Sequence, residues 1–289
     1  MAKSQAIGKR EKMKDDDVRK RLRAHVVDGH MNLEESDPDS TPLVNKKKAL
    51  ATAIPDEDRL MNLQDQLHAE GKRSLLIVLQ GMDTSGKDGT IRHALRGLNP
   101  QGTRIVAFKV PTANEKRHGF LWRIRNNLPV PGEIVIFNRS HYEDVLVPKV
   151  HKLMPDSVIE ARYKEINVFE KEITAKGTKI VKFYLNISYD EQRRRLLERL
   201  DDPQKNWKFS EADIKERPFW DDYRTAFDEA IAATSTDIAP WLIIPANKKW
   251  YRNWAVSEII AKTMEDMNLQ YPRPNLNIAD LRRRLQPVP

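Results

Sequence analysis

Apolar residues along the chain change their spacing near residue 74. From Pro55 to His68 they recur every third or fourth position, with Leu60, Leu63 and Leu67 on one face and Gly71 as a stop. This predicts a helix opened by Pro55 and Asp56. Short, nearly continuous apolar runs then take over: "SLLIVLQ", "RIVAFKV", "EIVIFN", "KIVKFYLNI" and "WLIIPA". Such runs mark strands buried on both faces of a parallel sheet. Helix-period stretches separate them: "TIRHALRGL", "NEKRHGFLWRIRNNL" behind the capping-box pair Thr112 and Glu115, "VIEARYKEINVFEKEITAKG" closed by Gly177, "YDEQRRRLLERL" capped by Ser188 and Glu191, and Lys248 to Met267. Strands alternating with helices predict an α/β fold with a mostly parallel sheet covered on both faces. Ligands in such sheets bind beyond the carboxyl ends of the strands.

The first fifty or so residues keep no period. Charge clusters alternate there (Lys9, Arg10, Lys12 and Lys14 against Asp15 to Asp17), and Pro38 and Pro42 interrupt the rest, so this segment reads as an extension that packs irregularly or is partly disordered. With 289 residues, one α/β domain plus extensions is expected. The expected division is an extension over 1–54, a main α/β domain over 55–272 and a tail over 273–289. No apolar run is long enough for a membrane span, and the N-terminus has no apolar core of a secretory signal. The absence of cysteine rules out disulfides, thiolate metal sites and a cysteine nucleophile, and fits a cytoplasmic protein. A net charge of +8 points to a polyanionic partner: nucleic acid, anionic membrane or a phosphate-rich substrate.

The chemistry concentrates in "GMDTSGKDGT", residues 81–90. Gly81, Gly86 and Lys87 match the phosphate-binding loop, but Asp88 stands where a Ser or Thr hydroxyl normally follows the lysine. The loop leaves a buried strand and enters a helix, an arrangement that aims backbone N–H groups at an anion. Lys87 adds a mobile cation, and Gly89 keeps the first helical turn open. Two carboxylates in such a cradle repel polyphosphate unless a divalent cation intervenes, and Mg²⁺ bridges carboxylates and phosphates. Asp83 is expected to bind that metal or to act as a base near the acceptor. Asp88 either replaces the hydroxyl, through water, or is an acid favoured by the helix dipole.

The third strand ends in "FNRSHYEDVLV". Asn138 holds the position where an acidic metal-supporting residue is expected. Arg139 offers a fork to phosphate, and Glu143 and Asp144 follow within one loop. Asp144 is expected to complete the metal pair with Asp83; His141 is kept out of the chemical step. After the fourth strand, Arg195 and Arg199 lie one helical turn apart, followed by Lys205, Trp207 and Lys208 and a helix capped by Ser210 and Asp213 that carries Arg217. This unit, about residues 193–224, reads as a basic lid that closes over phosphates. Arg123 is expected to hold acceptor phosphates, with Trp122 either core or stacking surface. Lys248 and Arg252 extend the positive track.

Four segments in order, "GMDTSGKDGT", "FNRSHYEDVLV", "LERLDDPQKNWKFSEADIKERPFWDDY" and "APWLIIPANKKWYRNWAVSEII", resemble polyphosphate kinase family 2, with "FNRSHYED" most like its third class. The resemblance runs from about residue 55 to 272. It implies a three-layer α/β/α P-loop kinase fold with a five-stranded parallel sheet and a helical lid, Mg²⁺ dependence, and a homo-oligomer, dimer or tetramer. It also implies phosphate transfer between inorganic polyphosphate and AMP or ADP, with no nucleic acid or membrane partner. Ala113 and Asn114 stand where such relatives are expected to be acidic. The expected catalytic residues are Asp83, Lys87, Arg139, Asp144 and Arg199. The expected substrate contacts are Gly81, Gly86, Asp88, Gly89, Thr90, Arg123, Asn138, Glu143, Lys208, Arg217, Lys248 and Arg252. An ATP-dependent kinase on the same fold is the rival activity, and a nucleic-acid-binding protein the rival class.

Overall fold

A computed structural model of the chain describes residues 17–285, so the charge clusters at Lys9 to Lys14 and Asp15 to Asp16 lie outside the described residues. Five parallel strands, β1 (Ser74–Gln80), β2 (Thr103–Ala107), β3 (Ile134–Asn138), β4 (Thr178–Asn186) and β5 (Trp241–Pro245), form one sheet in the order β2-β3-β1-β4-β5. Register places Leu79 beside Asn138 on one flank and Phe183 on the other. Every residue of β1 is buried, because the strand is central and both faces are covered. One face carries α2 (Lys46–Glu70), α3 (Lys87–Ala94) and α10 (Lys249–Asp266), which pack on one another. The other carries α5 (Glu143–Val150), α6 (Asp156–Ala175) and α9 (Trp220–Thr234). The three-layer α/β/α expectation holds.

Three elements depart from the sequence reading. Helix α2 starts at Lys46, where the Asn45 side chain accepts from the Lys48 N–H at 2.9 Å, rather than at Pro55. The Thr112–Glu115 capping box does form, with N–H to side-chain bonds of 2.7 and 3.3 Å. It launches only a 3₁₀ turn at Glu115–Arg117, and one helical turn, α4 (Trp122–Arg125), follows Gly119. Residues 114–118 carry no apolar side chain to bury, so the cap has no helix face to stabilise. Conversely, Glu143 and Asp144 open α5 instead of lying in a loop; Val145, Leu146 and Val150 anchor that helix despite Pro148 within it.

The N-terminal segment, beginning with α1 (Val18–Leu22), covers the β5 edge. The Ala24 N–H donates to the Trp241 carbonyl at 2.9 Å, and Arg23 bridges Leu242 in antiparallel fashion, so the edge is not left open to pair with another chain. After β4, α7 (Tyr189–Asp201) and α8 (Glu211–Glu216) build the helical lid, and α11 (Ile278–Arg284) lies in the tail. No helix among the described residues is long and apolar enough to cross a membrane.

Candidate active site

The loop from β1 to α3 is shaped by two glycines with positive φ. Gly81 has φ +147°, and a Cβ there would lie 2.8 Å from both the Leu185 carbonyl and Ser85 Oγ. Gly86, with φ +101°, caps α3. Lys87 folds back so that Nζ donates to the carbonyls of Gly81 (2.8 Å) and Met82 (3.2 Å). Burial, and then the Arg139 guanidinium, pull its amine below the usual lysine range. Thr90 is buried and donates its hydroxyl to the Gly86 carbonyl at 3.0 Å, so it braces the loop from inside α3.

The carboxyl end of β3 meets this loop. Asn138 Nδ2 donates to Asp88 Oδ1 at 2.7 Å, and Arg139, held at φ +62°, donates through Nη2 to Asp83 Oδ1 at 2.7 Å. A non-glycine residue in that conformation costs free energy and persists where surrounding contacts hold it, commonly at functional sites. Glu143 lies 3.9 Å from Arg139 and accepts from Gln80 Nε2 at 3.1 Å.

From the lid, Arg199 donates to the Lys208 carbonyl (3.1 Å) and to Asp213 (3.0 Å). These groups enclose a cavity of about 630 Å³, with Lys87, Arg139, Arg199, Lys205, Lys208 and Lys249 in its walls. A second cavity, about 340 Å³, opens toward Glu143, Arg217, Trp220 and Tyr223. Asp83, Arg139 and Asp213 line both.

Most expected site residues come together here: Asp83, Gly86, Lys87, Asp88, Gly89, Asn138, Arg139, Arg199 and Lys208 line the larger cavity, and Gly81, Glu143 and Arg217 the smaller. Arg217 donates to Gln192 Oε1 at 2.7 Å and lies over the Tyr189 ring. Five expected residues line neither cavity, Thr90 inside α3 among them. The Asp144 carboxylate does not join Asp83; it accepts from buried Arg123 at 2.9 Å, while Arg123 also donates to the Lys109 carbonyl at 2.8 Å. That ion pair turns both side chains away from the cavities. Lys248 donates to the Asp39 carbonyl at 2.7 Å, and its neighbour Lys249 takes the cavity wall instead. Arg252 is buried behind the loop.

Arg195 differs too from a freely reaching lid arginine. It donates to the loop carbonyls of Thr84 and Ser85, both at 2.9 Å, and to Ala246 (2.5 Å) and Glu191 (2.6 Å). It is a strut tying the lid helix to the phosphate loop and to the turn after β5.

Asp213 was legible only as a helix-cap acid, yet it faces Asp83 across the junction of the cavities. Burial and then the Asp83 charge push its carboxyl above the usual range. Among the described residues no three His, Asp or Glu side chains gather as a metal cage. A Mg²⁺ ion needs no such cage where phosphates supply the remaining ligands. The one or two carboxylates it does need are present as Asp83 and Asp88 on the cavity wall, so this donor set fits.

A glycine loop between a central parallel strand and a helix, roofed by a basic helical lid, defines a P-loop kinase. The family model described as Polyphosphate kinase 2 (PPK2) matches residues 44–272. A protein from Meiothermus ruber named AMP/ADP-polyphosphate phosphotransferase is 50% identical over 249 residues, covering 86% of this chain and 93% of its own length. One from Rhodopseudomonas palustris, named ADP-polyphosphate phosphotransferase, is 45% identical over 227 residues, covering 74% and 78%. The crystal structure of polyphosphate kinase 2 from Arthrobacter aurescens superposes with a TM-score of 0.89 at 43% identity, over 93% of this chain and 96% of that one. The chain belongs to the polyphosphate kinase 2 family. It is a kinase.

Proposed function

We propose that this enzyme transfers the terminal phosphate of inorganic polyphosphate to nucleoside mono- and diphosphates, converting AMP to ADP and ADP to ATP. The observation that carries the reading is the meeting of two unlike cavities at Asp83 and Arg139. The larger, walled by lysines and arginines, suits a polyanion that carries a charge at every unit. The smaller, with Trp220 and Tyr223 beside Arg217, suits a nucleoside bearing phosphate. The names of the Meiothermus and Rhodopseudomonas relatives support the same pair of substrates.

In this mechanism a terminal phosphate oxygen of the acceptor attacks the last phosphorus of the chain in line. The bond from that phosphorus to the last bridging oxygen breaks, and the shortened chain leaves with that oxygen. Lys87, released from the Gly81 and Met82 carbonyls, follows the moving phosphoryl group together with the loop N–H donors. Arg139 faces the same point from β3, and Arg199 with Lys208 adds positive charge as the lid closes. Asp83 is the carboxylate that would hold Mg²⁺, which when bound would supply positive charge at the phosphates. Asp88 and Asn138 orient each other at the loop's rim. Asp144 is assigned to holding Arg123 and not to the metal. The enzyme is further proposed to work in the cytoplasm as a homo-oligomer, and to use no nucleic acid.

Lys87→Ala and Asp83→Asn test these roles. Each is expected to abolish transfer while far-UV circular dichroism and melting stay close to the parent. Near-normal turnover in either variant would remove that residue from the chemical step.

A further inference from the structure

Arg252, in the first turn of α10, is 2% exposed and lines neither cavity. Its guanidinium lies against the backbone of the phosphate loop. A Cβ on Gly86 would overlap its Nη1, and one on Gly89 would lie 3.1 Å from its Nη2. Gly86 is therefore required for the arginine to approach from behind, and Gly89 leaves it a tight fit. Among the described residues its side-chain hydrogen bonds go only to Asn253 Oδ1, at 3.1 and 2.8 Å, and it has no ion-pair partner. The charged group nearest to it in effect is Arg195, another cation, whose own bonds go to loop carbonyls and Glu191. His93 on α3 is held below the usual histidine range by burial and then by Arg252, a second sign of the positive field there.

A buried guanidinium without a carboxylate lowers the stability of the folded chain, and a neutral side chain of similar volume would pack there at less cost. Packing alone does not explain it. The geometry points to Arg252 as a positioning charge for the phosphate site: placed behind Gly86 and Gly89, it strengthens the loop's hold on polyanionic phosphate without touching it. This rests on the reading that the loop holds polyphosphate, and it replaces the expected direct contact with an effect through the loop. In a poorly solvated setting, a unit charge one backbone layer away changes anion affinity by about tenfold or more.

The test compares tripolyphosphate binding by titration calorimetry in the full-length parent, Arg252→Lys and Arg252→Met, with melting recorded without phosphate. Arg252→Met is expected to weaken tripolyphosphate by about tenfold or more while melting no lower than the parent, because an unpaired buried charge has gone. Arg252→Lys, which keeps the charge, is expected to bind within about threefold of the parent. Should Arg252→Met fail to fold, Arg252→Gln, which retains a polar contact to Asn253, carries the same expectation for affinity. Unchanged affinity in the neutral variant overturns the inference. Equal losses in the Lys and neutral variants also overturn it, since shape and not charge would then matter. A parent that binds no tripolyphosphate refutes the polyphosphate reading itself, and the charge claim falls with it.

Discussion

Replacing Asp144 with asparagine separates an ion-pair role from a metal role. The carboxylate is 17% exposed and bonded at 2.9 Å to Arg123, which is 6% exposed. Removing one partner of a buried pair costs about 3–5 kcal/mol. Here the lower end applies and is reduced further, because Asp144 reaches some solvent and Arg123 keeps the Lys109 carbonyl. About 2 kcal/mol remains, and a domain of this size loses about 2–4 °C of Tm per kcal/mol, so Asp144→Asn should melt about 4–8 °C lower. Asp83→Asn breaks a pair whose partners are 28% and 42% exposed, and should move Tm by no more than about 2 °C. Thermal melts in EDTA, without nucleotide or polyphosphate, read both variants free of metal. Near-parental melting of Asp144→Asn, together with lost transfer and a raised Mg²⁺ requirement, would refute the reasoning and return Asp144 to the metal.

Three more perturbations probe other parts of the account. Lys182 and Glu170 are fully buried and bonded at 2.8 Å, with the Tyr142 hydroxyl joining them beneath the β3 turn. Lys182→Met should cost about 3 kcal/mol in urea unfolding, and Lys182→Met with Glu170→Gln should recover part of it; equal losses would show that the charge left behind is not the cause. Asp228, half-buried and accepting from the Leu33 N–H at 2.8 Å, has its carboxyl pushed up to about 6, chiefly by burial. Its folded value lies above the unfolded value of about 3.9, so the folded chain loses stability as pH rises through 6. Asp228→Asn should therefore raise Tm at pH above about 7 and lose that advantage below about pH 4; a pH-independent effect would contradict it. Gly86→Ala combines φ +101° with a clash on Arg252, and should cost about 2 kcal/mol and most tripolyphosphate binding. A variant that binds normally would mean the loop has room the structure denies.

The strands were legible because the central ones are buried on both faces and so read as unbroken apolar runs, β1 most clearly. The phosphate loop was legible for a different reason: Gly81, Gly86 and Lys87 are close in sequence, and their spacing carries the geometry. Asp144 and Arg195 take partners that come from distant segments. Arg123 lies twenty-one residues before Asp144, and the Thr84 carbonyl is far upstream of Arg195. A charge pattern along one helix records what faces a side, not which charges are already satisfied across the fold. Asp213 looked like a cap because its place on the lid is local, while its approach to Asp83 depends on how the lid folds over β1. Lys249 rather than Lys248 lines the cavity because α10 begins at Lys249, and a one-residue difference at a helix start turns a side chain by about 100°.

The most direct test of the central claim is an ATP-free incubation of the enzyme with Mg²⁺, long-chain polyphosphate and either AMP or ADP, followed by ³¹P NMR and nucleotide chromatography. The account predicts new ADP from AMP and new ATP from ADP, matched by loss of internal polyphosphate phosphorus. Unchanged nucleotides in both incubations, with phosphorylation appearing only when ATP is supplied as donor, would contradict it.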